Sequence, residues 1–290
     1  VTSAAPHRAA SARRVRRQRR GAGERGFVPQ ILILPAVLAL ALLVVPLAAL
    51  VGRVEWSTLG ADITSPAALS ALGLSLLTGL IATVVCVVLG VPLALLIART
   101  GPRTAALLRA AVTVPLVLPP MVGGVALLFL FGRTGWLGPV LADLGIRIPF
   151  TTAAVVLAQT FVALPFLVLA LEGALRSTGV GYEQAAAALG AGRWRILFRV
   201  TLPLAAPGLI AGTVLCFARA VGEFGATALF AGNAPGVTQT MPLAIYTAFN
   251  GAGVSQGTAV ALALLLLVTA VAVLLLVRAW RPGTVREGAR

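Results

Sequence analysis

The chain has no lysine: all 23 of its basic residues are arginines. A Walker A loop needs its lysine to reach nucleotide phosphates, so this chain does not hydrolyse ATP through a P-loop. A lysine Schiff base is excluded with it. Histidine is nearly absent. The single one, His7, lies in a polar tail, which removes histidine general-base chemistry and His-ligated metal sites from the apolar remainder. Two cysteines occur, Cys86 and Cys216, both inside apolar runs. They read as small buried residues, not as a disulfide framework or a metal site. Acidic residues number only eight, leaving a net charge of +15.

What is present in abundance is apolar. The chain is 59% hydrophobic with a mean hydropathy of +1.00, beyond the range of a soluble domain. Runs of about 20 apolar residues are long enough to cross a hydrocarbon core of about 30 Å as helices. About six such transmembrane helices are expected, near 30–51, 70–97, 111–132, 152–172, 204–224 and 258–280. The organisation expected is an all-α integral membrane protein. A basic, disordered cytoplasmic tail spans 1–29, a single membrane domain 30–281, and a short cytoplasmic tail 282–290. The first apolar run is too long for a signal-peptide h-region, and no small-residue cleavage site ends it.

The arginines predict an orientation. Eight lie in the tail, three follow the second span, Arg176, Arg193, Arg195 and Arg199 follow the fourth, and four follow the sixth. With the N-terminus inside, 19 of the 23 face the cytoplasm, Arg53, Arg133 and Arg147 face outward, and Arg219 stays in a span. The positive-inside rule favours that arrangement. The tail's charge then serves orientation and contact with anionic membrane lipid rather than nucleic acid.

Three stretches carry chemistry. The first is Glu183 to Pro203, a polar, arginine-bearing island between two apolar runs. Its alanines favour a short helix, and Gly190 suits a left-handed stop. Trp194, Ile196, Leu197 and Phe198 can cover a membrane face while Arg193, Arg195 and Arg199 reach headgroups or a partner. The second is Phe217 to Thr227, where Arg219 and Glu223 stand four apart on one predicted helix face. Charges in hydrocarbon are costly, so both should face the bundle interior or water. They read either as a structural pair or as a pair near an outer gate. The third is Phe230 to Tyr246, with turn signals at Gly232, Pro235, Gly236 and Pro242. Asn233, Thr238, Gln239 and Thr240 offer uncharged donors there, for an extracytoplasmic lip or simply an ordered loop. Upstream, Pro115, Pro119, Pro120, Gly123 and Gly124 should kink or delay the third span. That span reads as a kinked bundle helix or as a wall of a substrate path. Pro165 should kink the fourth.

The Glu183–Pro203 stretch resembles the signature loop of ABC-transporter permeases, E-A-A, three residues, G, nine residues, I, one residue, L-P. Gln184, Ala185, Ala186, Gly190, Val200, Leu202 and Pro203 fall on that spacing. Gln184 replaces the usual Glu, with Glu183 just before it, and Val200 replaces Ile. Residues 115–124, 131–138, 222–227 and 231–246 extend the resemblance, over about 65–280, to permease subunits of molybdate ABC importers. Gly222-Glu-Phe-Gly-Ala is similar to sulfate permeases as well.

The resemblance implies a type I ABC importer permease fold and no catalysis by this chain. It implies a second copy completing the pore, two separate ATPase subunits holding ATP and magnesium, and an extracytoplasmic substrate-binding protein. It places the coupling to the ATPase at 181–203, in a bacterial cell membrane. Sulfate, thiosulfate or tungstate are the rival cargoes. A secondary transporter would need intramembrane coupling carboxylates, for which Glu223 and Glu172 are the candidates. An intramembrane enzyme finds no Ser/His pair or metal cluster to support it.

Overall fold

A computed structural model describes residues 29–251 and 256–279. Apart from Pro29, the two tails expected from the sequence lie outside the described residues. The regular structure of the described residues is all helical, with no strand among them. The chain divides into two compact units, Val1–Gly52 and Arg53–Arg290. The first contributes one helix, α1 (Ile33–Gly52), which carries Pro46 inside it and buries no side chain. A helix apolar on every side belongs in lipid or a large core.

The second unit is built on three helices. Helix α2 (Leu59–Ile63) is a single turn leading to α3 (Pro66–Arg99). Ser65 caps α3 by accepting from the Ala68 N–H at 3.3 Å, and Pro66 occupies the first turn. At about 1.5 Å per residue its 34 residues exceed a bilayer core, so it tilts or protrudes. Its buried face is a stripe of small residues, among them Ala71, Ser75, Gly79, Ala82, Cys86, Gly90 and Ala94. Small residues let backbones approach closely where no hydrophobic force separates helix from lipid.

The stripe receives α7 (Thr152–Thr178) and α10 (Leu202–Val221), its main packing partners. A Cβ on Gly90 would meet Leu167 of α7 at 2.8 Å, and one on Gly79 would meet Val221 of α10 at 2.7 Å. Cys86 donates to the Thr160 carbonyl at 3.7 Å. Thus α7 runs parallel to α3 and α10 runs against it. Cys86 and Cys216 are both free, buried thiols in the core shared by the three helices. Helix α7 continues through Pro165 as one helix.

The third expected span is not one helix. Residues 102–131 form α4 (Pro102–Val117) and α5 (Pro120–Phe131), bent by 110°. Leu118 and Pro119 between them are extended, with ψ of 137° and 133°. A residue before proline avoids the helical region, and Pro119 and Pro120 together withhold two N–H donors. Pro115, by contrast, sits within α4 without ending it.

The remaining elements are α6 (Gly138–Asp143), α8 (Gly181–Ala188), α9 (Arg193–Ile196), α11 (Gly225–Phe230), α12 (Met241–Phe249) and α13 (Gln256–Ala279). Thr258 on α13 donates to Asp62 on α2 at 2.7 Å. Against six expected spans, four helices are long and apolar enough by themselves: 30–52, 66–99, 152–178 and 193–221. The bent α4–α5 pair makes a fifth if counted as one span, and the apolar part of α13, Gly257–Val273, is shorter.

Candidate functional site

Helix α8 and the turns after it form the most defined polar site. Glu183 stands in the first turn of α8, where a carboxylate suits the helix dipole. The helix ends as its sequence demands. Gly190 adopts φ +81°, its N–H bonds the Ala187 carbonyl at 3.0 Å, and the Ala191 N–H bonds that of Ala186 at 3.1 Å. This pair of bonds is a Schellman stop, which needs the left-handed residue that glycine supplies without strain.

The two faces of α8 differ. Tyr182, Gln184, Ala185 and Leu189 are exposed, Leu189 to 89%. Glu183 turns inward. Its Oε1 accepts from Arg99 Nη2 at 2.5 Å and from Thr201 Oγ1 at 2.9 Å. Arg99 is the last residue of α3. A cavity of about 480 Å³ lies beside this junction, lined by residues including Leu95, Gln184, Arg193, Ile196 and Thr201. Arg193 forms no ion pair among the described residues.

The second half of the stretch is continuous with the span beyond it. Helix α9 passes through a π turn, Leu197–Thr201, into α10. Within it Trp194 and Phe198 stack at 6.0 Å with an interplanar angle of 15°. Both rings are exposed, while Ile196 and Leu197 turn toward the cavity. Val200 and Leu202 are half-buried and Pro203 is exposed.

A second carboxylate site lies on α7, and the sequence reading did not join it. Glu172 is buried, accepting from Arg109 Nε at 3.2 Å and Nη2 at 2.5 Å, and from Arg176 Nε at 2.7 Å. It therefore ties α4 to α7. The i, i+4 spacing to Arg176 was a usable signal; nothing local pointed to Arg109.

The Arg219–Glu223 pair exists, with a correction. Helix α10 stops at Val221, so Glu223 lies past its end rather than on one helix face with Arg219. Arg219 Nη2 stands 2.7 Å from Glu223 Oε2, an ion-pair contact without hydrogen-bond alignment. Oε1 accepts from the Ala226 N–H at 2.7 Å, holding the start of α11. Glu223 is 1% exposed.

Gly123 and Gly124 are buried on α5. A Cβ on Gly124 would meet the Ala226 carbonyl oxygen at 2.8 Å, and one on Gly123 the Phe161 ring at 2.9 Å. They bring α5 against α11 and α7. In the 230–246 stretch, Asn233 is exposed and donates to Thr247 Oγ1 at 2.8 Å. Gln239 is half-buried. Thr238 and Thr240 are buried, and Thr238 accepts from the Ala234 N–H at 2.9 Å. That sequence of donors is therefore not displayed as one outward-facing row. Sequence reasoning also missed Gln159, fully buried on α7 with both amide atoms unpartnered. A lone amide within an apolar run was the signal.

Residues 90–286 match the family described as binding-protein-dependent transport system inner membrane component. The molybdenum transport system permease protein ModB of Mycobacterium tuberculosis is 51% identical over 255 residues, covering 88% of this chain and 96% of that protein. The protein of the same name from Escherichia coli K12 is 42% identical, covering 74% and 94%. Among solved structures, a chain of a bacterial alginate ABC transporter, in complex with an alginate-bound periplasmic protein, superposes with a TM-score of 0.68. It is 17% identical, with 88% of this chain and 95% of that one covered.

Proposed function

The chain belongs to the binding-protein-dependent transport system inner membrane components, and on that premise we propose that it is the pore subunit of an ATP-driven molybdate importer. Its fold is the all-α type I ABC importer permease fold. It is a transport subunit, not an enzyme. The observation that carries the cargo is the 51% identity, sustained over 96% of a molybdenum permease.

In this reading two copies enclose the pore and a separate ATPase docks under each, holding the ATP and magnesium that this chain does not bind. The exposed face of α8, with Tyr182, Ala185 and Leu189, enters the ATPase. An extracytoplasmic binding protein delivers the anion to the opposite side. The arginine distribution supports both termini and α8 lying in the cytoplasm, with multiple passes through the bacterial cell membrane. Closure of the ATPase dimer on ATP draws the two α8 helices together and opens the pore outward; hydrolysis resets it.

The test is uptake by vesicles containing the permease and its ATPase, with the binding protein supplied outside. ATP-dependent accumulation of labelled molybdate, competed by tungstate and resistant to excess sulfate, is the expected result. Uptake of sulfate alone would reassign the cargo, and uptake indifferent to ATP would overturn the importer. Orientation has its own check. A cysteine near Asp62 should react with an impermeant thiol reagent in intact cells and one at Arg195 should not; the reverse pattern would invert the topology.

A further inference from the structure

One carboxylate oxygen joins three elements that the sequence keeps far apart. Glu183 Oε1 holds Arg99, the last residue of α3, and Thr201, at the entry to α10. Glu183 belongs to α8 itself. Its carboxylate faces away from the exposed Tyr182, Ala185 and Leu189. We infer that Glu183 is a positioning residue that transmits displacement of α8 to α3 and α10 together, rather than a docking contact for the ATPase. The inference rests on the importer reading above.

The junction acts through geometry more than through energy. Arg99 and Glu183 are each about a quarter exposed, 28% and 22%. A pair so placed is screened and adds little to static stability. It nevertheless fixes direction, because a guanidinium and a hydroxyl on one oxygen leave α8 little freedom to slide against either helix. Helices α3 and α10 carry the motion onward. They run antiparallel and touch again far from α8, where Gly79 packs on Val221. Just beyond Val221, Glu223 holds the start of α11. At about 1.5 Å per residue, the stretch of α3 from Arg99 to Gly79 carries this link about 30 Å. Arg193 lines the neighbouring cavity but forms no ion pair among the described residues, so Arg99 is the cation that holds Glu183.

The experiment measures molybdate transported per ATP hydrolysed in vesicles holding permease and ATPase, with co-purification of the ATPase as a separate readout. Glu183→Ala and Thr201→Val should retain the ATPase. Their transport per ATP should fall about fivefold or more, the scale of an ordinary coupling free energy. The exchange of Arg99→Glu with Glu183→Arg should restore part of the ratio, since the pair is re-formed with reversed sign. Wild-type stoichiometry in Glu183→Ala would overturn the inference. So would loss of ATPase binding in Glu183→Ala that the charge exchange fails to repair, because Glu183 would then be a docking contact. Absence of ATP-driven uptake by the wild-type protein would instead overturn the importer reading.

Discussion

The two ends of the three-helix core satisfy their polar groups differently. At the end carrying α8, Glu183 and Glu172 each accept from two separate side chains. At the other end, Gln159, Thr227 and Thr240 bury side-chain polar atoms without partners, and one oxygen of Glu223 lacks an aligned hydrogen bond. A buried polar group without a partner costs about 1–3 kcal/mol. Within this chain, the first end is therefore the more fully satisfied of the two.

Glu223→Ala should give the largest effect, since it strands Arg219 and uncaps the start of α11. Removing one partner of a buried pair costs about 3–5 kcal/mol, and Arg219, a quarter exposed, places the loss toward the lower figure. Thermal unfolding in detergent reads it. The double variant Arg219→Gln with Glu223→Ala should recover part of the loss. Damage equal to the sum of the singles would dissolve the pair.

Glu172→Gln tests the opposite end. It keeps the shape of the side chain but weakens its hold on two arginines that are themselves nearly half exposed. Hydrogen bonds to charged groups are worth about 1.5–3 kcal/mol, and the expected loss lies near the lower value. A larger loss than for Glu223→Ala would reverse the ranking of the two ends.

Gln159→Leu sharpens the contrast most directly. Replacing an unpartnered buried amide with an apolar group of similar size should leave stability unchanged or raise it by about 1 kcal/mol. If transport falls while the melting temperature rises, the missing partners belong to another state of the cycle. Loss of stability would mean that Gln159 is already satisfied.

Asn233→Ala should be nearly silent. Its single bond to Thr247 is exposed, and surface substitutions of this kind stay within about 0.5 kcal/mol. A substantial loss of uptake without loss of stability would place a partner or the anion at this loop.

How far the sequence revealed these features depended on range. The stop at Gly190 was legible because a Schellman turn is written in six consecutive residues. The Arg219–Glu223 contact was legible because the spacing is four, although the helix end at Val221 was not. The break at Pro119–Pro120 was underestimated, since one proline kinks a helix while an adjacent pair removes two donors. The Glu183 junction was out of reach. Its partners lie 84 and 18 residues away, and only the packing of α3 beside α10 brings them to one oxygen. Burial of Thr238 and Thr240 was likewise tertiary, for turn residues and free donors look alike until the loop is folded onto α3.

The π turn at Leu197–Thr201 sets the angular phase of everything that follows it. Its closing bond, from the Leu202 N–H to the Leu197 carbonyl, encloses one residue more than an α-helical turn. One residue is about 100° of rotation in an α-helix. Without that extra residue, Thr201 would swing about a quarter-turn away from Glu183 if α10 kept its seat against α7. If Thr201 held its place instead, Gly208 and Gly212 would leave Ala174 and Ala170, which their missing side chains now accommodate. The widened turn lets one continuous helix keep both appointments, acting as a gear tooth inserted between the part that is pushed and the part that spans.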